Sequence, residues 1–508
     1  MKGKQLFIFL VLATLTTGAV AQKIVYSDYE KDDSRRMNFE IVGKLNGNFM
    51  IYKNVRSKHW IVGLDNDMKQ VFKTEQTYLP ANDRMINSDF FAYNDFIYMV
   101  YQYQKKNVVY CMASKIDVSG NQIGEPLQLD TTHLGFAADN KIYSVIGSED
   151  KSKIGVFKIN SRNRKLYIMT TILLNDRLEM LKKSVIEIPM EERNEDLSDF
   201  KLDNEGDLVF CKFLRNNNEN ITSATLLIKQ AMGDTLVGND LRLDKIMLDE
   251  INVKIGKPNK RYLLASLYYQ ERRGNVEGYY FSIWDKIQTA FVMNTTSVFS
   301  DELRKEARGD ATLKTAFNDY FIRNIISKKD GGFIISAEAY YTTSRFNNWN
   351  RWDYLYGSPY YGYGSQNYYY SPFYRNWWNY PRYNTNQSAR YHADNITVLS
   401  YKPGGELEWS CIVSKEQYDD ETDDKLSFQL MNTGGQLHFL FNQLEKRYII
   451  LNDYSLSPDG SLTRNPTLKN LERGYEFLPQ YGKQVSARQM IVPCLYRNYI
   501  CFAKIDYN

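Results

Sequence analysis

Short apolar runs recur along the whole chain, and each run is bounded by residues that favour tight turns. One kind of turn precedes a strongly apolar run, and the other follows a run and closes a polar hairpin. Asn, Asp, Gly and Pro supply the backbone angles that such hairpins need. Turns of the first kind include 45–48, 203–206, 330–332 and 433–435, and turns of the second kind include 65–67, 118–121, 403–405 and 458–460. Two alternating hairpins per unit predict units of four antiparallel strands.

A weak internal repeat accompanies this pattern. Ser88-Asp89-Phe90 and Ser198-Asp199-Phe200 open units 110 residues apart, and Asn318-Asp319-Tyr320 follows 120 residues later. If each interval holds two units, one unit has roughly 55 to 60 residues, a period typical of propeller blades. Four-stranded units at a fixed period are the sequence pattern of a β-propeller. The sequence therefore predicts an all-β fold of this kind.

The two ends of the chain predict how the ring closes. Seven units begin near Asn38, Ser88, Gly135, Ser198, Ile251, Tyr320 and Ser427. Three further strands remain at the C-terminus, over 476–484, 489–496 and 499–506, and the segment Lys23 to Tyr29 has no hairpin partner nearby. Pairing this N-terminal strand with the C-terminal strands would satisfy two open sheet edges. We therefore expect eight blades, with seven as the alternative.

Two connections between blades have helical patterns. Ser300 to Asn318 begins with a residue that favours the helix N-cap and carries apolar residues at helical spacing. Leu241 to Ile251 carries Leu243, Ile246 and Leu248 at mixed spacing, which is a weaker helical pattern. We expect both segments to cover loops between blades.

The most unusual stretch is the aromatic segment, which we define as residues 340–392. It holds 20 of the chain's aromatic residues within 53 positions, including four of its seven tryptophans. It follows the apolar run 332–339 and precedes 395–401, so we expect it to replace the loop between the second and third strands of the sixth unit. Nine of its residues are the candidate binding residues: Trp349, Trp352, Tyr354, Tyr368, Tyr369, Tyr370, Trp377, Trp378 and Tyr380.

Several interpretations of the aromatic segment stay open. Tyr, Trp and Arg are enriched where proteins bind other proteins, which favours a contact surface. Aromatic faces with Asn and Arg at their edges also suit sugar rings, and Trp and Tyr favour membrane interfaces. Alternatively, the segment packs on its own propeller or is a disordered, low-complexity loop.

The N-terminus predicts export. Lys2 and Lys4 precede an apolar run from Leu6 to Leu15, and 19–21 has the small-residue ending of a signal peptide cleaved after Ala21. No other run approaches the roughly 18 apolar residues of a transmembrane helix. Without the two leader lysines, 62 basic residues face 60 acidic ones, so charge gives no case for a nucleic-acid partner. We expect one mature propeller domain over 22–508, in the periplasm, at the outer membrane or at the cell surface.

Motifs for catalysis are missing from the sequence. The four histidines form no HExxH motif, and we find no nucleophile elbow, P-loop or dinucleotide fingerprint, so no metal or cofactor is predicted. The enzyme hypothesis with the best basis uses Asp89, Asp199 and Asp319. If they lie at one mouth of the channel, two of them could serve glycoside hydrolysis. The alternative is that each Asp closes a turn or caps a backbone N–H.

Two acidic stretches and the cysteines leave further alternatives. Residues 203–207 resemble half of a calcium loop but lack its bidentate Glu, which favours a plain hairpin. The acidic run 419–424 suits either a cation or a solvated connection. The five cysteines leave at least one thiol unpaired. Cys494 and Cys501 face each other if 497–498 is a two-residue turn, either as a disulfide or as buried thiols.

The leader ending in Ala-Val-Ala-Gln, the richness in Tyr, Asn and Lys, and the degenerate blade pattern resemble the uncharacterised secreted β-propeller proteins of Bacteroidota-type bacteria. The resemblance covers the mature chain. It implies a periplasmic or outer-membrane-associated binding protein or an accessory subunit of an envelope or secretion assembly. Our first hypothesis is a non-enzymatic interaction scaffold of the cell envelope or outer membrane, with the aromatic segment as its contact surface. The alternative is a carbohydrate-binding or glycoside-hydrolysing propeller, for which the partner would be a glycan.

Overall fold

The computed structural model describes most of the chain after the leader. The described ranges are 23–29, 37–55, 57–80, 84–138, 141–163, 165–192, 194–216, 220–256, 260–309, 311–344, 351–356, 369–370, 389–420, 422–445, 448–466, 475–496 and 499–507. The predicted signal peptide, residues 1–21, lies outside these ranges.

The fold is an all-β propeller built from antiparallel units of four main strands, each in the order of the sequence. Strand β1 spans Lys23–Tyr26 and belongs to the last unit. Unit 1 contains β2 (Met37–Leu45), β3 (Asn48–Val55), β4 (Lys58–Leu64) and β5 (Gln70–Glu75). Unit 2 contains β6 (Arg84–Ala92), β7 (Phe96–Lys105), β8 (Val108–Asp117) and β9 (Gln122–His133). Unit 3 contains β10 (Ser144–Gly147), β11 (Lys153–Asn163), β12 (Leu166–Asn175) and β13 (Met180–Pro189).

Units 4 and 5 share one nine-stranded sheet. Unit 4 contains β14 (Glu195–Leu202), β15 (Leu208–Arg215), β16 (Ile221–Lys229) and β17 (Leu236–Asp240). The two-residue strand β18 (Met247–Leu248) pairs with both β16 and the second strand of unit 5, and so joins the two units. Unit 5 contains β19 (Asn252–Ile255), β20 (Arg261–Tyr269), β21 (Gly278–Asp285) and β22 (Ala290–Val298).

The last three units carry the additional short elements. Unit 6 contains β23 (Tyr320–Ser327), β24 (Phe333–Ser344), β26 (Ala389–Tyr401) and β27 (Leu407–Val413), with β25 (Tyr369–Tyr370) and β28 (Tyr418–Asp419) beside the main strands. Unit 7 contains β29 (Phe428–Asn432), β30 (Leu437–Glu445), β31 (Tyr448–Leu456) and β32 (Leu462–Arg464). Unit 8 contains β33 (Tyr475–Phe477), β34 (Lys483–Ser486), β35 (Gln489–Tyr496) and β36 (Tyr499–Asp506), and a 3-10 turn spans Pro479–Tyr481.

The predicted closure of the ring is confirmed by the pairing of the two chain ends. Strand β1 pairs antiparallel with β36, from Lys23 opposite Asp506 to Tyr26 opposite Ala503. The backbone N–H of Ser27 then donates to the carbonyl oxygen of Phe502 at 2.8 Å. The N-terminal strand thereby completes unit 8 and covers the edge that β36 would otherwise expose.

Packing between consecutive units supplies the hydrophobic core. First strands of successive units contact each other, as β34 does with β2, β2 with β6, and β14 with β19. One apolar cluster holds Phe49 of unit 1 and Phe502 of unit 8, and another holds Phe281 of unit 5 and Phe333 of unit 6. Burying each large apolar side chain contributes about 1.5–3 kcal/mol, so these interfaces hold the ring together.

Burial along the strands explains their sequence pattern. Strand β21 is buried at all of its positions, whereas the next strand outward, β22, alternates exposed and partly buried residues. A middle strand is covered on both faces by neighbouring units, and an outer strand has one face in solvent. The sheets number seven, because units 4 and 5 are joined, while the described residues hold eight units. The number of blades therefore stays a prediction.

The tight turns use the predicted side-chain chemistry. The Asp117 carboxylate accepts the backbone N–H groups of Ser119 and Asn121, both at 2.8 Å. Gly120 between them has a φ of +80°, a conformation that glycine adopts without strain. Asp65, Asn175 and Asp203 cap their turns with the same pair of contacts.

Of the two predicted helices, the one over Ser300 to Asn318 forms only in its first part, and the other does not form. Helix α1 spans Asp301–Ala307, and the Ser300 hydroxyl accepts the backbone N–H of Leu303 as its N-cap. The helical prediction for Leu241 to Ile251 was wrong. This segment contains β18 instead. Met247 and Leu248 pair between two sheets, and the apolar side chains of the segment pack into the core that these sheets share.

Cys494 and Cys501 face each other in the final hairpin, as predicted. They are buried free thiols, with their sulfur atoms 2.8 Å apart, and the other three cysteines are also free. Of the two alternatives for this pair, the structure shows buried thiols and not a disulfide.

Candidate functional site

The aromatic segment leaves the propeller between the second and third strands of unit 6, as predicted. Strands β24 and β26 continue as a paired ribbon beyond β23, with Tyr340 opposite Ala393 and Ser344 opposite Ala389. Strand β28 adds to the ribbon by pairing with Tyr391 and His392. The base of the segment is thus a β-ribbon that is continuous with its blade.

Helix α2, Arg351–Tyr356, fixes the first part of the segment against the ring. The buried Arg351 guanidinium contacts the Asp249 carboxylate, with Nε 3.0 Å from Oδ1 and Nη2 2.5 Å from Oδ2. It also donates to the carbonyl oxygens of Asn318 and Tyr320, and lies 3.8 Å above the ring of Phe321. Burial opposes the charge of Arg351, but the Asp249 carboxylate outweighs burial and raises the pKa of the guanidinium.

Trp352 and Leu355 complete this anchor. Trp352 is half-buried, with its ring centroid 6.0 Å from that of Tyr269 in unit 5. Leu355 is buried with Ala393 and Leu426 of units 6 and 7. One predicted contact residue, Trp352, therefore packs on its own domain.

A second anchor lies on a distant unit. Strand β25 pairs antiparallel with β11, with Tyr370 opposite Ile159 and Tyr369 opposite Asn160. Strand β10 is short and pairs only with Ile154 to Phe157, so the next part of the β11 edge is open to β25. The aromatic segment thus originates on unit 6 and adds a strand to unit 3.

The remaining candidate binding residues fall wholly or partly outside the described part of the chain. Trp349, Tyr368, Trp377, Trp378 and Tyr380 lie outside the described residues. For Tyr354, Tyr369 and Tyr370, the description covers the backbone in α2 and β25. Their predicted role as contact residues stays a prediction.

A polar cavity of about 410 Å³ lies where first strands of several units meet. Unit 1 contributes Phe39 and Glu40, unit 6 contributes Arg323 and Tyr340, and unit 8 contributes Lys483. We call this the central cavity. Its volume lies within the range of natural small-molecule sites, and its walls carry groups of both charges together with aromatic rings.

Glu40 and Lys483 stand out among the groups of the central cavity. Burial raises the pKa of the Glu40 carboxyl to about 7, and burial lowers the pKa of the Lys483 ammonium. Neither side chain has a hydrogen-bond or ion-pair partner among the described residues. Each feels the opposite charge of the other, but without a direct contact this attraction offsets only part of the desolvation cost of each group.

Directly behind the cavity wall, a second set of charges is fully paired. The buried Glu338 carboxylate contacts Arg323 Nε at 3.0 Å and Lys415 Nζ at 2.9 Å, and accepts the hydroxyl of Ser427 at 2.6 Å. We call these four residues the Glu338 cluster. Burial opposes ionisation of Glu338, but its two cations outweigh burial and lower the pKa of the carboxyl.

The three aspartates of the enzyme hypothesis are each tied to a different neighbour. Asp89 forms an ion pair with Lys141 at 2.8 Å. Asp199 has a φ of +53° and accepts the backbone N–H of Val253, which links units 4 and 5. Asp319 precedes β23, where its carbonyl oxygen accepts the N–H of Tyr340. Of these contacts, only that of Asp199 is a side-chain cap of a backbone N–H; that of Asp89 is an ion pair, and that of Asp319 uses its backbone carbonyl.

The two acidic stretches also have partners within the chain. Asp203, Glu205 and Asp207 place carboxylate oxygens within 4.8 Å of one another, a geometry that suits a cation. The Lys286 ammonium already lies among them, at 2.7, 2.5 and 2.7 Å. In the run 419–424, Asp420 pairs with Arg390, Asp423 accepts from Tyr340, and Asp424 accepts from Tyr481.

The sequence analysis missed Glu40 and Lys483 because no motif surrounds them. The signal that could have found Glu40 is its position as a charged residue between the apolar residues Phe39 and Ile41 of the first strand of unit 1. Lys483 shows no such contrast with its neighbours.

Among the described residues, no helix has the length and apolar character needed to cross a bilayer.

Comparisons with known proteins give structural likenesses only. No protein-family model and no curated protein matches the sequence. A polysaccharide lyase, an ulvan lyase, is similar with a TM-score of 0.37 and 10% identity, over 83% of this chain and 92% of that one. Prolyl oligopeptidase B from Galerina marginata gives 0.40 and 8%, over 91% and 55%. The dihydro-heme d1 dehydrogenase NirN gives 0.34 and 9%, over 92% and 70%. Likenesses this weak carry no argument about function.

Proposed function

We propose that this chain is an exported, non-enzymatic β-propeller that binds a protein partner of the bacterial cell envelope through its aromatic segment. It acts as an interaction scaffold or accessory subunit in the periplasm or at the outer membrane. The observation that carries the proposal is the double anchoring of the segment, by the Arg351–Asp249 contact and by β25 on unit 3. A binding surface that is already held in place binds more tightly, because less conformational entropy is lost when the partner binds.

The composition of the segment supports a protein partner over other ligands. Between its two anchors and its base, the segment carries Tyr, Trp and Arg in a proportion typical of protein-binding hot spots. The balanced charge of the mature chain gives no support to a nucleic-acid partner. The resemblance to secreted propellers of Bacteroidota-type bacteria supports the envelope as the location.

A variant with residues 371–388 replaced by a Gly-Ser linker of equal length tests this proposal. The variant keeps both anchors and should fold, be exported and melt like the parent chain. We expect it to lose the partner that the parent chain retains from detergent-solubilised envelopes. The matched control replaces 467–474, between units 7 and 8, and should retain the partner. Equal recovery of the same partner by all three chains would refute the proposal.

A second candidate function is carbohydrate binding. The specific observation that favours it is the central cavity, where Glu40, Lys483 and the ring of Tyr340 converge. Polar groups that fix hydroxyls beside an aromatic ring are what a sugar site needs. Glycoside hydrolysis at Asp89, Asp199 and Asp319 has less support, because the carboxylates of Asp89 and Asp199 are held by Lys141 and by the backbone N–H of Val253.

A further inference from the structure

We infer that the central cavity binds a saccharide unit that carries a carboxylate, with Lys483 taking the carboxylate and Glu40 taking sugar hydroxyls. The inference gives the second candidate function a site and a ligand class. It uses none of the contacts proposed for the aromatic segment's protein partner.

The first argument is the contrast between paired and unpaired charge. Arg323 lines the cavity but is already held by Glu338, whereas Lys483 has no hydrogen-bond or ion-pair partner among the described residues. A desolvated ammonium without a partner is costly, and an incoming anion would remove that cost. A ligand carboxylate is the anion that makes charge-assisted hydrogen bonds with lysine at such a site.

The second argument is the presence of a carboxyl group in the same cavity. Glu40 faces Lys483 from unit 1, yet the two form no ion pair within 4.0 Å. A ligand must therefore offer an anionic group to one side and hydrogen-bonding hydroxyls to the other. A simple anion would satisfy Lys483 but would offer no separate hydroxyl to Glu40, whereas an acidic sugar carries both groups.

The third argument is the shape of the walls. The cavity of about 410 Å³ suits one or two sugar rings and is smaller than many drug-sized sites. Tyr340 is buried and is fixed by donating its hydroxyl to Asp423 at 2.9 Å, so it forms a rigid part of the cavity wall. Gln480 adds an amide to the lining and donates to the carbonyl oxygen of Asp423.

Isothermal titration calorimetry on the full-length exported chain tests the inference, with digalacturonate as the acidic probe and maltose as the neutral one. We expect digalacturonate to bind and maltose to bind at least about tenfold more weakly, because maltose leaves the buried ammonium unpaired. Lys483→Met should weaken digalacturonate binding by about tenfold or more. Glu40→Leu should also weaken it by about tenfold, through the loss of bonds to hydroxyls.

Controls separate this inference from the other proposals. Lys69→Met removes an exposed lysine from unit 1 and should change binding less than about twofold. The linker variant of 371–388 should bind digalacturonate normally even if it loses the protein partner. Tighter binding of maltose than of digalacturonate would overturn the ligand class, and binding unaffected by Lys483→Met would overturn the site. Absence of binding for both sugars would overturn the site and the carbohydrate function together.

Discussion

The Glu338 cluster and the central cavity share a wall but differ in how their charges are compensated. Glu338 and Lys415 are fully buried, and each is paired at hydrogen-bonding distance. Glu40 and Lys483 lie a short way in front of them with the same chemical groups and no ion pair between them. The cluster joins β24, β23 and the chain between units 6 and 7, so its charges hold elements together. The charges of the cavity serve no such contact, which is why we assign them to a ligand.

The largest effect that we expect comes from breaking the Glu338 cluster. Lys415→Met leaves the Glu338 carboxylate buried with only one cation, and should lower the free energy of unfolding by about 3–5 kcal/mol. Urea denaturation measures this loss. The double variant with Glu338→Gln removes the orphaned charge and should recover most of it. Equal stability of the single and double variants would show that the pair is not coupled.

A similar loss is expected at the first anchor of the aromatic segment. Arg351→Met leaves Asp249 buried without its cation and should cost about 3 kcal/mol by chemical denaturation. The matched control is Arg390→Met in the same segment, because Arg390 and Asp420 form an exposed pair. That change should cost less than about 1 kcal/mol. If the two variants lose the same stability, the burial of Arg351 does not anchor the segment.

The acidic hairpin of unit 4 offers a third comparison, because its cation comes from unit 5. Burial opposes the charge of Lys286, but bonds to Asp203, Asp207 and Glu205 outweigh burial and raise the pKa of the ammonium. Lys286→Met leaves three carboxylates facing each other and should cost about 2 kcal/mol of stability. Millimolar Ca²⁺ should raise the melting temperature of the variant and leave the parent chain unchanged. If Ca²⁺ leaves the melting temperature of the variant unchanged, the three carboxylates do not form a cation-binding site.

The smallest effect expected is a gain of stability at Glu40. Its pKa is about 7 in the folded chain against 4.5 without burial, so the folded state binds the proton more tightly. The stability that this proton confers is complete below about pH 4.5 and is lost as the pH rises through 7. Glu40→Gln should therefore stabilise the chain by about 1–2 kcal/mol at pH 8, allowing for partial solvent access, and have little effect at pH 4. Melting curves of the parent chain and the variant at both pH values measure this difference. A Glu40→Gln variant that melts below the parent chain at pH 8 would contradict the prediction.

Prediction from sequence succeeded where a pattern is local. The hairpin at Asp117 follows from one side chain that caps its own turn, and β1 was predicted to pair at the C-terminus because both sequence ends lacked a partner. Leu241 to Ile251 failed because its apolar residues could serve a helix or a bridge between two sheets. Only the neighbouring strands β16 and β20 decide between these two outcomes.

The sequence determined the class of fold, the four-stranded units and the position of the aromatic segment, since each depends on periodicity or turn chemistry within a short window. It determined the point of ring closure because each end of the chain carried strands without a partner. Only the tertiary structure decided that Arg351 reaches Asp249, that Lys286 fills the acidic hairpin, and that Glu40 and Lys483 face one cavity without pairing. These contacts join residues about 80 to 440 positions apart. Which charges meet across such distances depends on how the ring brings its first strands together, and no local pattern encodes that.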